Sequence, residues 1–422
     1  MKKCLCTILL AGSLLSLAFG VFFCVGEVFA DDTPAAPVVS EAAKETKCPA
    51  VVKPLAEPMQ GPISHTDVFL SGKEGYHSYR IPAIVCSKKG TLLAFAEGRK
   101  DNRSDSGNID IVLRRSTDNG KTWLPMQVVA NNKKGVAGNP CPVVDTKTGD
   151  ILLITIRQTP GSTQRSIRDG KKGHRRDYFV QRSSDDGKTW SKPKRIGVTD
   201  PLKPRWQAGG PGHALQLKRG EHAGRILVAG NHSTGKDWTT NALHVIYSDD
   251  GGHTWKLGAV APATKTIWPS EALAAELPDG TVCLTVRDQK NAKGAPPTAN
   301  PATRAFAWSR DGGESFDGPS QLASDVTAPV CHGSILEFSA TDQGDAKNDL
   351  VVCYPNDAKE RKNLCIRCSN DCGKTWSKCR VIYPDSAAYS DLVRTADGGL
   401  GVFYERDNYG RITFALIGPP QK

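Results

Sequence analysis

The sequence has few signals of helices or of a bound metal ion. No stretch longer than about ten residues shows the 3.6-residue periodicity of an amphipathic helix, apart from an ambiguous segment after Pro269. The nine histidines include no His-Glu-x-x-His pair or comparable spacing, so we expect neither a catalytic metal nor another cofactor. Strands and turns therefore have to account for most of the chain.

Acidic residues are also comparatively scarce. Asp and Glu number 44 against 55 Lys and Arg, which gives a formal net charge of +11. A field of this sign favours acidic glycans, nucleic acid or anionic surfaces as partners. The basic clusters Lys171-Lys172 and Arg175-Arg176 are interspersed with acids and lack the aromatic interleaving typical of nucleic-acid binding. We therefore expect an acidic substrate and no nucleic-acid partner.

Residues 1–30 have the pattern of a secretory signal peptide. Two lysines precede an apolar run from Leu9 to Val28, and Val28-Phe29-Ala30 supplies small residues at the positions that a signal peptidase reads. A retained anchor helix is the alternative, but Gly, Ser and Cys dilute the run. We expect a mature protein that starts near Asp31, is exported to the periplasm or secreted, and has no stable membrane anchor.

The next segment, residues 31–60, is predicted to be a flexible linker. It is rich in Ala, Pro, Val and Lys and shows no sustained periodicity of 2 or 3.6 residues. Residues 61–422 are then predicted to form one domain.

Five copies of one turn pattern recur in this domain. They follow Ser-x-Asp-x-Gly-x-Thr-Trp or a close variant and begin at Ser116, Ser183, Ser248, Ser309 and Ser369. Their starts lie 67, 65, 61 and 60 residues apart, a spacing typical of propeller blades. In such a turn Ser and Asp side chains bond nearby backbone N–H groups, Gly accepts positive φ, and the aromatic residue packs beneath.

This period predicts an all-β fold, a six-bladed β-propeller. About 360 residues from Ser64 onwards, divided by about 60 per unit, give six four-stranded blades. The sixth has no such turn, and we expect the strands at the two ends of the domain to close it.

Ten of the 13 cysteines follow the predicted signal peptide. An even number in an exported chain permits disulfides, above all among the last four or five. Cys365, Cys368, Cys372 and Cys379 could instead bind zinc, although residues three apart on a strand point to opposite faces.

Short motifs stand in order between and around the repeated turns. They are Tyr79-Arg80-Ile81-Pro82, Glu97-Gly98-Arg99, Gly138-Asn139-Pro140-Cys141-Pro142, Gly210-Pro211-Gly212-His213, Ser270-Glu271, Val286-Arg287, Tyr354-Pro355, Arg361-x2-Leu364 and Ala388-Tyr389-Ser390-Asp391. In this order, over roughly residues 64–415, the chain resembles the bacterial exo-sialidase (neuraminidase) family with Asp-box (BNR) repeats. The resemblance implies an exo-α-sialidase that acts on sialylated glycoproteins, glycolipids or oligosaccharides.

The resemblance assigns the carboxylate of sialic acid to three arginines. Arg80, Arg287 and Arg361 match the family's arginine triad, and planar guanidinium groups bind a carboxylate through paired, charge-assisted bonds that Lys does not reproduce. Arg367 competes with Arg361 for the third position, but the sequence context favours Arg361. Glu405 matches the carboxylate that orients the first arginine.

The catalytic residues implied by the resemblance are Tyr389, Glu271 and Asp105. The substrate carboxylate repels an anionic nucleophile, and sialidases use Tyr in place of the usual carboxylate. A phenol needs a base to take its proton, and Glu271 matches that partner. Asp105 matches the acid/base aspartate of a retaining mechanism, with an ordinary or somewhat raised pKa, and Asp101 is the competing candidate.

Other matched positions line the expected pocket. Arg99 and Asn139 meet the polar substituents of the sugar, and Glu97 positions Arg99. Trp206 and Trp268 are candidates for an apolar wall, with the core as the alternative for each.

Two other functions fit the same pattern. A trans-sialidase or an intramolecular sialidase would keep the same catalytic set. A non-catalytic propeller that binds sialoglycans would be expected to have lost Asp105, Glu271 or Tyr389, and all three are present.

Overall fold

The computed structural model describes residues 59–290 and 303–418. The predicted signal peptide and all but the last two residues of the predicted linker lie outside the described residues. Within the described ranges, no helix is both long and apolar enough to cross a membrane. Regular structure consists of 24 strands, one α-helix and three 3₁₀ helices in this part of the chain.

The strands form six antiparallel blades in chain order. The first strand is β1 (Ile63–Leu70). Blade 1 contains β2 (Ser78–Cys86), β3 (Leu92–Arg99), β4 (Ile109–Ser116) and β5 (Gln127–Ala130). Blade 2 contains β6 (Val136–Val144), β7 (Ile151–Gln158), β8 (Arg176–Ser183) and β9 (Lys194–Ile196). Blade 3 contains β10 (Trp206–Gly209), β11 (Leu215–Gln216), β12 (Ile226–Ser233), β13 (Asn241–Ser248) and β14 (Lys256–Pro262).

The remaining strands complete the other three blades. Blade 4 contains β15 (Pro269–Glu276), β16 (Val282–Asp288), β17 (Thr303–Ser309) and β18 (Gln321–Thr327). Blade 5 contains β19 (Ser334–Ser339), β20 (Asp349–Pro355), β21 (Lys362–Ser369) and the first part of β22 (Arg380–Arg394). Blade 6 contains the rest of β22, β23 (Leu400–Arg406), β24 (Arg411–Ile417) and β1.

The two ends of the domain close the propeller, as predicted. β1 pairs antiparallel with β24, from Ile63 opposite Ile417 to Leu70 opposite Arg411. Blade 6 thus takes its outermost strand from the beginning of the domain. β22 serves two blades, because it pairs with β21 up to Ser386 and with β23 from Ala387 onwards.

Six apolar clusters form the core, one between each pair of neighbouring blades. Between blades 1 and 2, for example, Phe95 and Leu113 pack against Ile151 and Leu153. The clusters bury both faces of a blade, and each fully buried aliphatic side chain contributes about 1.5–3 kcal/mol. The cluster between blades 6 and 1 joins Phe403 and Phe414 to residues of β2 and β3, so the ring of contacts is complete.

The five repeated turns have the predicted hydrogen bonds. In the first, Ser116 Oγ donates to Asp118 Oδ1 at 2.7 Å and accepts from the Gly120 N–H at 2.8 Å. Asp118 also accepts the Thr122 N–H at 2.9 Å. Gly120 has φ +84°, and a Cβ there would lie 2.2 Å from the Phe414 ring. The turns join the last two strands of blades 1 to 5, at the end of each blade opposite the candidate site.

The structure resolves the one segment whose periodicity was ambiguous. The ambiguous segment after Pro269 is the strand β15, and the α-helix, α1 (Gln164–Arg168), lies in the connection between β7 and β8. Thr163 and Ser166 form a capping box at its start. Five residues are too few to produce a detectable periodicity, so this helix was not predictable from the sequence.

The cysteines differ from the expected arrangement. Cys372 takes part in a disulfide, whereas the eight other described cysteines are thiols. Cys365 packs between blades 4 and 5, while Cys353 and Cys368 face blade 6, so the sheet itself separates them. Within residues 59–290 and 303–418, no three His, Cys, Asp or Glu side chains are placed to hold a metal ion.

Candidate active site

Breaks in strand pairing lie beside the predicted site residues. The innermost strands β2, β6, β15 and β22 each shift register in their pairing with the next strand of the same blade, at Arg80–Ala83, Gly138–Cys141, Pro269–Ala272 and Ala387–Ser390. Each shift lies at or beside one predicted site residue, in the order Arg80, Asn139, Glu271 and Tyr389. Because a bulge re-aims the side chains of its strand, these irregularities turn residues of four blades into one central cavity.

This cavity has a volume of about 260 Å³. Its wall contains nine of the ten predicted site residues, namely Arg80, Glu97, Arg99, Asp105, Asn139, Glu271, Arg287, Arg361 and Tyr389. The tenth, Glu405, lies behind Arg80. The two competing candidates, Asp101 and Arg367, are absent from the wall, and Arg367 instead binds Asp325 and the carbonyl groups of Trp376 and Ser377.

The three arginines surround the Tyr389 ring. The guanidinium carbons of Arg80 and Arg361 lie 5.4 and 5.5 Å from its centroid, and Arg287 Nη1 donates to the Tyr389 hydroxyl at 2.8 Å. Arg361 is held by the Val330 carbonyl at 3.0 Å. Three positive charges from blades 1, 4 and 5 thus converge on one point, a suitable arrangement for binding a carboxylate.

Glu405 holds the bulges of two blades together. Its side chain is fully buried and pairs with Arg80 Nε at 2.5 Å. It also accepts the backbone N–H groups of Ile81 at 2.8 Å and Tyr389 at 3.1 Å. Ile81 has φ +61°, a left-handed conformation that is unfavourable for a β-branched residue, and the bond to Glu405 stabilises it.

Tyr389 and Glu271 form a hydrogen-bonded pair. The Tyr389 hydroxyl donates to Glu271 Oε1 at 2.5 Å. Burial and the charge of Glu271 raise the pKa of Tyr389 well above its ordinary value. Burial alone would raise the pKa of Glu271. The charge of Arg287, whose Nη1 lies 2.7 Å from Oε2, acts together with His332 and the hydrogen bonds from Tyr389 and Arg287 to lower that pKa. The phenol therefore keeps its proton beside an ionised carboxylate that can accept it.

Asp105 reaches over the cavity from an exposed loop. Its side chain is 81% exposed and pairs with Arg99 Nη1 at 2.8 Å. Desolvation alone would raise the pKa of Asp105, but the charges of Arg99, Arg80 and Arg176 and the hydrogen bond from Arg99 together lower it. The expectation of an ordinary or raised pKa is wrong for the ligand-free protein, because the sequence did not reveal this ion pair.

Glu97 positions both Arg99 and Asn139. Its Oε2 binds Arg99 Nη2 at 2.7 Å and Nε at 3.1 Å, and its Oε1 accepts the Asn139 N–H at 2.9 Å. A Cβ at Gly138 would lie 2.5 Å from Glu97 Oε1, which explains the glycine before Asn139.

Several wall residues carried no recognisable signal in the sequence. They are Gln164, Arg176, Asn231, Trp238 and Gln289. Arg176 is buried, donates to Asn139 Oδ1 at 2.7 Å and lies 4.4 Å from the Trp206 ring. In the sequence it belongs to a basic cluster, which predicts a surface position rather than a place in a cavity wall. Trp206 does line the cavity, whereas Trp268 is buried outside its wall.

His213 has a structural contact. Its Nδ1 lies 2.7 Å from Asp391 Oδ1, and its backbone N–H donates to Asp391 Oδ2. The contact joins blade 3 to β22 below the cavity, in keeping with a structural rather than a catalytic position.

The chain is similar to a known protein family and to sialidases of other organisms. Residues 90–402 match the family model of the BNR repeat-like domain. The sialidase of Micromonospora viridifaciens is 32% identical over 400 residues, which cover 91% of this chain but only 58% of that protein. This chain thus spans little more than half the length of that relative. Sialidase-2 of Mus musculus is 30% identical over 372 residues, which cover 82% of this chain and 93% of that protein.

A solved structure has the same fold. The Hadza microbial sialidase Hz136 superposes with a TM-score of 0.71 at 26% identity, over 83% of this chain and 67% of that one. Together with the family match and the Mus musculus relative, this likeness establishes that the chain belongs to the sialidase family with BNR repeats.

Proposed function

We propose that the protein is an exported exo-α-sialidase that hydrolyses terminal sialic acids from glycoconjugates with retention of configuration. The observation that carries this proposal is the Tyr389–Glu271 pair, joined by a 2.5 Å hydrogen bond inside a ring of three arginines. The relatives named sialidase support the same reaction.

Binding would begin at the arginines. Arg80, Arg287 and Arg361 would hold the substrate carboxylate, and each charge-assisted hydrogen bond is worth about 1.5–3 kcal/mol. Arg99, Asn139 and Arg176 would meet the polar groups on the opposite side of the ring, where Trp206 offers an apolar surface.

The first chemical step would form a bond between the Tyr389 oxygen and the anomeric carbon. Glu271 accepts the phenol proton while Asp105 donates a proton to the leaving glycan oxygen, whose bond to the anomeric carbon breaks. The substrate carboxylate beside Arg80 offsets part of the positive field that lowers the pKa of Asp105. The bound substrate would thus help to protonate its own general acid.

The second step would release the sugar. Asp105, now ionised, removes a proton from water, the water oxygen bonds to the anomeric carbon, and the bond to Tyr389 breaks. Glu271 returns the proton to the phenolate. Two displacements at the same carbon preserve its configuration.

One experiment tests the reaction and its stereochemistry. The purified protein is offered a chromogenic α-sialoside, and the released sugar is followed by NMR. We expect the α-anomer first. Absence of release would refute a sialidase, and initial release of the β-anomer would refute retention. Transfer to an acceptor or an anhydro sugar as the product would instead identify a trans-sialidase or an intramolecular sialidase.

A further inference from the structure

A group of exposed cations borders the cavity where blades 2 and 3 meet. Four of them belong to the connection between β7 and β8, and three belong to the connections before β10 and β13. We call this set the basic ledge; its members are Arg165, Lys171, Lys172, Arg175, Lys203, Arg205 and Lys236. The sequence indicated no function for these residues, and the proposed reaction uses none of them.

The ledge is continuous with the cavity wall. Each of the three connections that carry its cations either contains a cavity-wall residue or leads directly into one. These residues are Gln164 beside Arg165, Trp206 at the start of β10 beside Arg205, and Trp238 near Lys236. When the terminal sugar of a substrate occupies the cavity, the rest of the glycan would therefore pass these cations wherever it extends towards blades 2 and 3.

One buried arginine fixes the ledge in place. Arg168 is 5% exposed and donates to Asn241 Oδ1 at 2.8 Å, Ser233 Oγ at 3.1 Å and the Lys236 carbonyl at 3.2 Å. Its guanidinium lies 4.2 Å from the Trp238 ring, and its own carbonyl accepts a hydrogen bond from Arg205 at 3.1 Å. The cations therefore stand on interconnected connections, not on independent loops.

The ledge concentrates positive charge. Residues 159–176 include four of the ledge cations and the buried Arg168 and Arg176. With one Asp, this segment has a net charge of +5 against +11 for the whole chain. Asp169 is shared between Arg165 at 3.9 Å and Lys236 at 3.7 Å. Among the described residues, Lys171, Lys172 and Lys203 have no ion-pair partner. Like charges held together repel one another and attract anions over a distance of about 8 Å at physiological salt.

We propose that the basic ledge binds the additional negative charges of a multiply sialylated glycan whose terminal sugar occupies the cavity. This inference rests on the proposed sialidase function and refines its substrate class. The cavity binds one sialic acid, and the ledge attracts the neighbouring ones. Electrostatic steering of this kind raises the rate of productive encounter and weakens as salt is added.

The test compares two forms of one branched N-glycan, carrying either one or four sialic acids in the same linkage. We measure kcat/KM per terminal sialic acid at 20 and 200 mM NaCl for wild type and for the variant K171Q/K172Q/K203Q. The control is K188Q/K192Q, which removes exposed lysines from the opposite end of blade 2.

We expect wild type to prefer the glycan with four sialic acids at low salt. In the ledge variant, the ratio of kcat/KM for the glycan with four sialic acids to that for the glycan with one should be about three- to tenfold smaller than in wild type. Its kcat/KM on the glycan with one sialic acid should stay within about twofold of wild type. At high salt the two proteins should behave alike. The control should retain the preference. An unchanged preference in the ledge variant, an equal loss on both glycans, or an equal loss in the control would overturn the proposal.

Failure of the proposed function has a different signature. If wild type hydrolyses neither glycan, the enzyme proposal fails, and the ledge is then judged from the Kd of each glycan by calorimetry. Tighter binding of the glycan with four sialic acids that disappears in the ledge variant supports the ledge. Equal Kd values for the two glycans in wild type would refute it.

Discussion

At the scale of single residues, the Tyr389 hydroxyl is the most informative group to remove. Tyr389→Phe keeps the ring between Arg80 and Arg361 but deletes the atom that binds Glu271 and Arg287. We expect kcat to fall about a thousandfold or more, with sialic acid affinity largely retained. Steady-state kinetics and calorimetry check the two parts. Near-normal turnover would mean that another group is the nucleophile.

A matched change elsewhere controls for the loss of a phenol. Tyr247 lies on β13, outside the cavity wall, and Tyr247→Phe should leave kcat and KM unchanged. A comparable loss of activity in this variant would indicate that Tyr389→Phe acts by reducing stability rather than by removing a catalytic group.

The ion pair between Arg99 and Asp105 predicts a change in pH dependence. The charge of Arg99 contributes to lowering the pKa of Asp105, so Arg99→Gln should raise it. Because the general acid must be protonated, kcat/KM decreases as pH rises through this pKa. We expect that limb of the pH profile to move to higher pH in Arg99→Gln, whatever the absolute rate. Arg114→Gln, on the same blade but outside the wall, should leave the limb in place, and an unmoved limb in Arg99→Gln would contradict Asp105 as the acid.

The sequence indicated which residues line the candidate site, but not which of them contact one another. Arg80 and Glu405 stand 325 positions apart, and only their matching motifs, not their spacing, indicated that they meet. Arg176 has no such motif, so its place in the cavity wall depends on the fold alone. The lowered pKa of Asp105 was not predictable either, since it depends on the distance from one loop carboxylate to one guanidinium.

At the scale of elements, the repeated turns predict an acid-sensitive contribution to stability. Hydrogen bonds from the Thr122 side chain and backbone lower the pKa of Asp118 to about 2. A carboxylate with a lowered folded-state pKa stabilises the fold above its ordinary pKa near 3.9 and loses that contribution as pH falls towards 2. We expect Asp118→Ala to reduce the free energy of unfolding by about 1 kcal/mol at pH 7, from lost hydrogen bonds.

Denaturant titrations at several pH values check this prediction. The difference between wild type and Asp118→Ala should shrink between pH 4 and pH 2, as the wild-type carboxylate becomes protonated. Asp385→Ala, at an exposed position in β22, should show no such trend. A difference that stays constant across this range would mean that charge has no part in the stability of the turn.

The turns were predictable because all their interactions are local. The hydrogen bonds of Ser116, Asp118 and Gly120 all join residues no more than four positions apart. The local sequence is therefore enough to predict the structure of the turn. The bulges are different: each depends on a partner from a distant strand, as Ile81 depends on Glu405. The repeated turns could therefore be predicted from the sequence, whereas the bulges that shape the site could not.

At the scale of the whole molecule, the blade count followed from the period of the turns, and the closure followed from the missing sixth turn. The closure has a cost, because β1, which continues along the chain into blade 1, is held to β24 of blade 6 by noncovalent contacts alone. The proposed site spans this junction, since Arg80 belongs to blade 1 and Glu405 to blade 6. We therefore expect loosening of the junction to affect activity before the fold is lost.

Phe69 on β1 offers a direct test of that expectation. It is 1% exposed and packs against Tyr79 of blade 1 at 5.1 Å and Phe403 of blade 6 at 6.3 Å between ring centroids. Phe69→Ala should reduce stability by about 3–5 kcal/mol, and hydrogen exchange should accelerate most in β1 and β24. Activity should disappear at a lower urea concentration than the main unfolding transition. Phe306→Ala, 2% exposed between blades 4 and 5, should destabilise similarly without opening β1 and β24. If both variants open these strands equally, the propeller unfolds as one cooperative unit and the junction is not its weak point.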